Sequence, residues 1–289
     1  MRMLIAIRGS RHSQTTLQLC AFLLDACCRF EPPTVMTVVE REVDLREDEA
    51  ITAKAVQQLA LCGAEARTHI GEGSPAGAIV REAKRGDYDL VVVGEYSPYG
   101  ELGQLAKGST TWRVVEGVPC SVLIAKGRIS PIRRILVCDS GVGDSPALGY
   151  MTARLAEALD GEQEVTALHV VPEKGAGPHG GGRRAHAEGG APEGERRAYD
   201  PGTLEIAGHE PRPLVRHGHV VDEVVAEARE GEYDLVIIGA HRQQGWRRLL
   251  SENLAFKIAA GLDRPVLVAR MPPAEVPADE APADEAPAD

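Results

Sequence analysis

The chain has 289 residues, long enough for two domains of the usual ~100–200 residues. Its hydrophobic share of 43% suits a soluble globular protein, but aromatics are only 4%, so its cores must be built from Val, Leu, Ile and Ala. A formal net charge of −11 excludes the broad basic footprint that nucleic-acid binding needs.

Along the chain, Met1-Arg2-Met3-Leu4-Ile5-Ala6-Ile7-Arg8 is too short an apolar stretch for a signal peptide and reads as a buried first strand. No run of ~18 apolar residues follows, so no membrane span and a cytoplasmic location are expected. Strands are predicted near residues 3–7, 34–39, 65–70, 89–93 and 121–125. They are apolar without clean alternation, as parallel strands covered on both faces are. Helices are predicted near residues 13–29, 48–62, 74–86 and 107–117. Ser74-Pro75 supplies an N-cap and a proline at the first helical position, and Gly86 a C-terminal stop.

The pattern then repeats. Val80-Arg81-Glu82-Ala83 through Tyr88-Asp89-Leu90-Val91-Val92-Val93-Gly94 returns as Val225-Ala226-Glu227-Ala228 through Tyr233-Asp234-Leu235-Val236-Ile237-Ile238-Gly239 at a constant offset. Met3–Ile7 aligns with Ile135–Asp139, and Val122–Ala125 with Val266–Ala269, both in the same order along the chain. A fixed-order self-match over most of the chain predicts two similar domains, residues 1–127 and 131–271, joined by a short linker at 127–131. The second copy holds a Gly-, Pro-, Arg- and His-rich insert at about residues 173–202, read as a flexible loop. Residues 272–289 carry six acids and no base and are read as a disordered acidic tail. Repeated strand–helix–strand units predict α/β architecture: two repeated doubly wound, parallel-sheet, Rossmann-like domains. Ligands of such sheets bind beyond the carboxyl ends of the strands, where strand order reverses. That rule points to Ile7 and Arg8, to Val39 and to the loop after Gly94.

This loop reads Gly94-Glu95-Tyr96-Ser97-Pro98-Tyr99-Gly100, then Ala106-Lys107-Gly108-Ser109-Thr110, a helix, and Val118-Pro119-Cys120-Ser121-Val122-Leu123-Ile124. It resembles the signature of the universal stress protein family: Gly-x-x-Gly, nine residues, Gly-Ser/Thr, a helix, and a final Pro-Cys-Pro-Val-Leu strand. Tyr-Asp-Leu-Val before the loop in both copies and Leu168-His169-Val170-Val171 are similar to the family too. The resemblance implies a stress-response protein that binds ATP or AMP and catalyses no established reaction. Glycines let backbone N–H groups approach phosphates, and a helix start favours the anion. In the first copy the implied nucleotide-binding residues are Ile7, Arg8, Val39, Gly94, Ser97, Gly100, Gly108, Ser109 and Thr110. Ser97 stands at the second glycine position, with Gly100 as its alternative, and Arg8 replaces the family's usual Asp. The second copy keeps only Gly239; Arg242, Glu252 and Asn253 replace the rest, so its loop is read as structural and no nucleotide is expected there. Family members often dimerise through their last strands, so the two copies are expected to pair through 122–124 and 266–268 as an intramolecular pseudo-dimer, because bare apolar edges aggregate.

Other readings compete. A scaffold with both sites degenerate is the alternative. Ser140-Gly141-Val142-Gly143-Asp144-Ser145 looks like the loop of adenylating ATP pyrophosphatases, but Val142 breaks the match and the simpler reading is a capped helix start with Pro146 at its first position. His209, His217 and His219 have no Cys or acid at zinc-ligand spacing, and the first copy has Ile70 and Glu72 opposite the last two, so no metal is expected. None of the six cysteines forms a Cys-x-x-Cys pair; buried thiols are expected, with vicinal Cys27-Cys28 the candidate redox pair.

Overall fold

The computed structural model describes residues 1–8, 11–25, 30–39, 45–95, 108–139, 146–159, 161–171, 206, 208–239 and 246–271. The insert, the acidic tail, Cys27-Cys28, Ser97, Gly100 and Ser140–Ser145 lie outside them. In the first repeat β1 (Met3–Ala6), β2 (Thr34–Val39), β3 (Arg67–Glu72), β4 (Leu90–Gly94) and β5 (Ser121–Ala125) alternate with α1 (Arg11–Asp25), α2 (Leu45–Ala60), α3 (Pro75–Arg85) and α4 (Thr110–Gly117). The second repeat comprises β6 (Arg134–Asp139), α5 (Pro146–Ala158), β7 (Glu164–Val171), β8 (Arg212–His217), α6 (Val220–Glu230), β9 (Leu235–Gly239), α7 (Trp246–Gly261) and β10 (Val266–Ala269).

The strands form one ten-stranded sheet in the order β3-β2-β1-β4-β5-β10-β9-β6-β7-β8. Every neighbouring pair is parallel except β5 and β10, which run antiparallel with Leu123 opposite Leu267. Successive residues of the Val- and Ile-rich runs point to opposite faces. Leu4, Val91, Val93, Val236 and Ile238 pack on one side with α3, α4, α6 and α7, while Ile5, Leu90, Val92, Val137 and Ile237 pack on the other with α1, α2 and α5. Both clusters run across the repeat boundary.

Two sequence features acquire structural reasons. The Asp of Tyr-Asp-Leu-Val holds the start of each repeat's first strand: Asp89 accepts the Arg2 N–H at 2.7 Å, and Asp234 accepts those of Arg133 and Arg134, both at 3.0 Å. Gly86 ends α3, but the left-handed turn falls on the next residue, Asp87, at φ 45°, just as Glu232 takes φ 52° after Gly231. Glycine is required at 86 and 231 because a tyrosine ring lies against each, 2.1 and 2.2 Å from where a Cβ would sit.

The structure corrects some predicted bounds. β3 spans 67–72 rather than 65–70: His69 and Ile70 are half-buried, Gly71 is buried, and the strand ends on the exposed Glu72. The helix predicted from residue 107 begins at Thr110, because Ser109 is its cap. In the second repeat, the segment read as a structural loop up to Glu252-Asn253 is helical from Trp246 onward. Without Gly108's counterpart, Arg247, Arg248, Leu249 and Leu250 are helix formers that carry the helix forward.

Candidate functional site

β1 sends the chain to β2 on one side, and β4 sends it to β5 on the other, so strand order reverses between β1 and β4. A crevice of about 670 Å³, measured out to its open mouth, lies at their carboxyl ends. Ala6, Val38, Ile79 and Val93 make its apolar wall, and Pro75 opens α3 beside them. Arg8, Ser13, Thr16, Thr110 and Thr111 supply the polar groups, and Arg8 is the only charged side chain among the described lining residues. The Arg8 backbone N–H donates to Ser13 Oγ at 2.9 Å, fixing how the chain leaves β1 for α1.

The start of α4 faces the same space. Gly108 stands at φ 88° with nothing within 4 Å of a built Cβ, so conformation rather than crowding selects glycine. Ser109 is the N-cap and its Oγ accepts the Trp112 N–H at 3.2 Å, which leaves the hydroxyl proton able to donate. Thr111 Oγ1 donates to the Gly94 carbonyl at 2.7 Å and thereby pins α4 to the end of β4. The result is an apolar slot with one guanidinium at its mouth and the N-terminal end of α4 at its far end, a shape suited to a flat ring carrying an anion.

Of the residues expected at the site, Ile7, Arg8, Gly94 and Thr110 line the crevice, and Gly108 and Ser109 form the turn immediately before Thr110. Val39 does not line it; Val38 does. One step along a strand reverses the side chain's direction, and Val39 is buried with its carbonyl accepting the Gly73 N–H at 3.1 Å. Ser97 and Gly100 lie outside the described residues. Ser13, Thr16, Ile79 and Thr111 escaped sequence reasoning because helical hydroxyls and an isoleucine carry no motif; only Pro75, at the start of α3, was a visible marker.

The model of the universal stress protein family matches residues 1–126 and 131–270. The chain belongs to that family. A universal stress protein from Archaeoglobus fulgidus DSM 4304 is 17% identical, with a TM-score of 0.67, covering 95% of this chain and 97% of its own. A putative universal stress protein from Pseudomonas aeruginosa UCBPP-PA14 is 15% identical, with a TM-score of 0.64, covering 92% of each chain. Likenesses this distant establish the fold alone. No curated protein matches the chain at a significant level.

The second universal stress repeat is built differently at the same place. Glu252 and Asn253, opposite Gly108 and Ser109, lie inside α7 rather than ahead of a helix, so their N–H groups face the preceding helical turn. In the first repeat Met36 and Ala78 both lie against Gly71; a Cβ on Gly71 would sit 2.4 Å from Met36 Cε and 3.3 Å from Ala78 Cβ. In the second repeat Arg216 and Glu223 take the places of Gly71 and Ala78. Arg216, 4% exposed, donates to Glu223 at 2.7 Å and Glu227 at 2.8 Å, and Tyr233 also donates to Glu227, at 3.2 Å. At the ends of β6 and β7 the register sets Asp139 beside His169, both buried, where the first repeat has Ile7 and Thr37. Burial holds the His169 pKa below its ordinary value of 6.5, opposed by the backbone and charge of Asp139.

Burial pushes the thiols of Cys20 and Cys138 far up and that of Cys120 to about 12, as for inert core cysteines. Among the described residues no group of three or more His, Cys, Asp or Glu could hold a metal ion. His217 ends β8 as Glu72 ends β3, and His219 caps α6 as Ser74 caps α3, so the positions opposite them are Glu72 and Ser74, not Ile70 and Glu72. His219 Nδ1 lies 3.3 Å from Asp222.

Proposed function

We propose that this protein is a stress-response protein that binds an adenine nucleotide, ATP or AMP, in the crevice of its first repeat and acts by sensing or protein contact rather than by catalysis. The observation that carries the reading is the crevice between β1 and β4, closed at one end by a helix start that Gly108 at φ 88° and Ser109 prepare. The base would lie against Val38, Ile79 and Val93, and the phosphates would meet the N–H groups at the start of α4 with Arg8 as the counter-charge. The second repeat binds no nucleotide in this account, because α7 occupies the stretch where a phosphate turn would be. It acts instead as the built-in partner in a pseudo-dimer whose seam is the β5–β10 pair. No helix among the described residues is long and apolar enough to cross a membrane.

Adding ATP or AMP should raise the melting temperature of the protein, since a ligand that binds only the native state must stabilise it. Gly108→Glu should abolish that rise: a side chain at φ 88° strains the turn that starts α4, and the open Cβ position lets it place a carboxylate at the phosphate end. No rise in the unaltered protein, or an equal rise in the variant, would remove the assignment.

A further inference from the structure

We propose that Lys126 is a positioning residue for the first repeat's crevice, and that through it the site depends on helix α7 of the second repeat. The proposal rests on the nucleotide reading of that crevice and names what controls it.

Lys126 follows β5, and its side chain is only 4% exposed. An ammonium so buried is tolerated only when its donors are satisfied. Nζ has two partners: Glu95 Oε1 at 2.9 Å and the carbonyl of Ala259 at 2.9 Å. These partners belong to different repeats. Glu95 is the first residue after Gly94, at the point where the chain leaves β4 for the loop that carries the family signature. Its backbone N–H donates to Ala125 O at 3.0 Å, so both backbone and side chain of Glu95 are held against the end of β5. Ala259 lies in the last turn of α7, where carbonyls have no helical partner and the helix dipole favours a cation. One lysine thus satisfies the end of α7 and holds the first residue of the phosphate loop.

A second contact runs in parallel. Trp112, three residues after the cap Ser109 that accepts its N–H, stacks edge-on against Phe256 of α7, with ring centroids 4.9 Å apart at 74°. Both ends of the first repeat's loop therefore rest on α7. Any preference of bound nucleotide for one arrangement of this loop must be matched by an equal preference of α7 for the same arrangement.

The pseudo-symmetry supplies the control. Arg270 follows β10 as Lys126 follows β5, and its guanidinium donates across the same seam to the Val118 carbonyl at 2.5 Å. The second repeat has Ala240 where the first has Glu95, so the position aligned with Glu95 carries no carboxylate. Without Lys126, the Glu95 carboxylate loses its cation one residue beyond the crevice-lining Gly94, and its unbalanced charge disfavours an anionic ligand there.

The test is calorimetric titration of ATP into the full chain and its variants. Lys126→Met should weaken binding by about tenfold or more, the usual cost of losing a hydrogen bond to a charged group. Lys126→Arg should retain affinity within about threefold, because it keeps the charge and donors. Arg270→Met, which removes an equivalent bond across the seam, should leave affinity unchanged. In a Glu95→Gln background the Lys126→Met change should have little further effect, since the coupled charge is already gone. This double variant also gives an answer if the single Lys126→Met protein does not fold. Equal losses in the Lys126 and Arg270 variants would show a general interface effect and overturn the proposal, as would undiminished binding in Lys126→Met. Absence of ATP binding by the unaltered protein would instead overturn the nucleotide reading, and the proposal with it.

Discussion

The two repeats share their strand register, their Tyr-Asp-Leu-Val clasp and even the left-handed residue after α3 and α6, yet they differ at the carboxyl ends of their strands. In the first repeat a glycine at φ 88° precedes α4, which is only eight residues long and starts facing a crevice. In the second, a helix of 16 residues runs through the same stretch. The first repeat packs Met36 and Ala78 against Gly71, whereas the second buries Arg216 between Glu223 and Glu227. A duplicated framework can therefore keep its core while its strand ends diverge, because the core is set by strand-facing aliphatics and the start of the last helix by a single glycine.

The sharpest way to break this comparison is at Arg216. Arg216→Leu should strand two buried carboxylates and cost about 3–5 kcal/mol of stability, read from urea unfolding. Arg216→Met with Glu223→Ala, which imports the apolar character of the first repeat, should recover most of that loss. A single variant as stable as the unaltered protein would mean that the network is not the second repeat's structural substitute for the Met36 packing.

A smaller effect concerns the seam. Phe256→Ala should cost about 2–3 kcal/mol, less than a fully buried aromatic because Phe256 is only partly buried. Since both core clusters cross the boundary, the repeats should still unfold in one transition. Two resolved transitions by calorimetry would show that the repeats are independent.

The smallest expected effect is the pH response of the second repeat. His169 titrates below its ordinary 6.5 when folded, so the unfolded chain binds the proton first and stability should fall as pH drops below about 6.5. His169→Gln should flatten that part of the pH–stability curve. An unchanged slope between pH 6.5 and 5 would place the titration elsewhere. Thiol reactivity gives a companion check: Cys20 and Cys120, buried and held protonated, should resist an aromatic disulfide reagent at pH 8 until the protein unfolds, while the half-buried Cys62 reacts.

Much of this was legible in the sequence. The Val-rich runs ending at Gly94 and Gly239 showed parallel strands, and their repeated flanks showed the duplication. Gly108-Ser109 marked the helix start of the crevice because a glycine before a hydroxyl cap is a local signal. What escaped notice depends on distant partners. Lys126 reads as a surface lysine after a strand until its contacts with Glu95 and Ala259 are seen. A continuous apolar run such as β2 does not reveal which residue faces which side, so the sequence does not show that Val38 rather than Val39 lines the crevice. The helical stretch from Trp246 was hidden by alignment to a glycine loop whose glycines it lacks.

The central claim is that one repeat kept a nucleotide site and the other did not. Its most direct test is the stoichiometry of ATP or AMP binding to the full chain by isothermal titration, with Gly108→Glu and Glu252→Gly measured alongside. The account predicts one nucleotide per chain, lost in Gly108→Glu and unchanged in Glu252→Gly. Two nucleotides per chain, or one that survives Gly108→Glu, would contradict it.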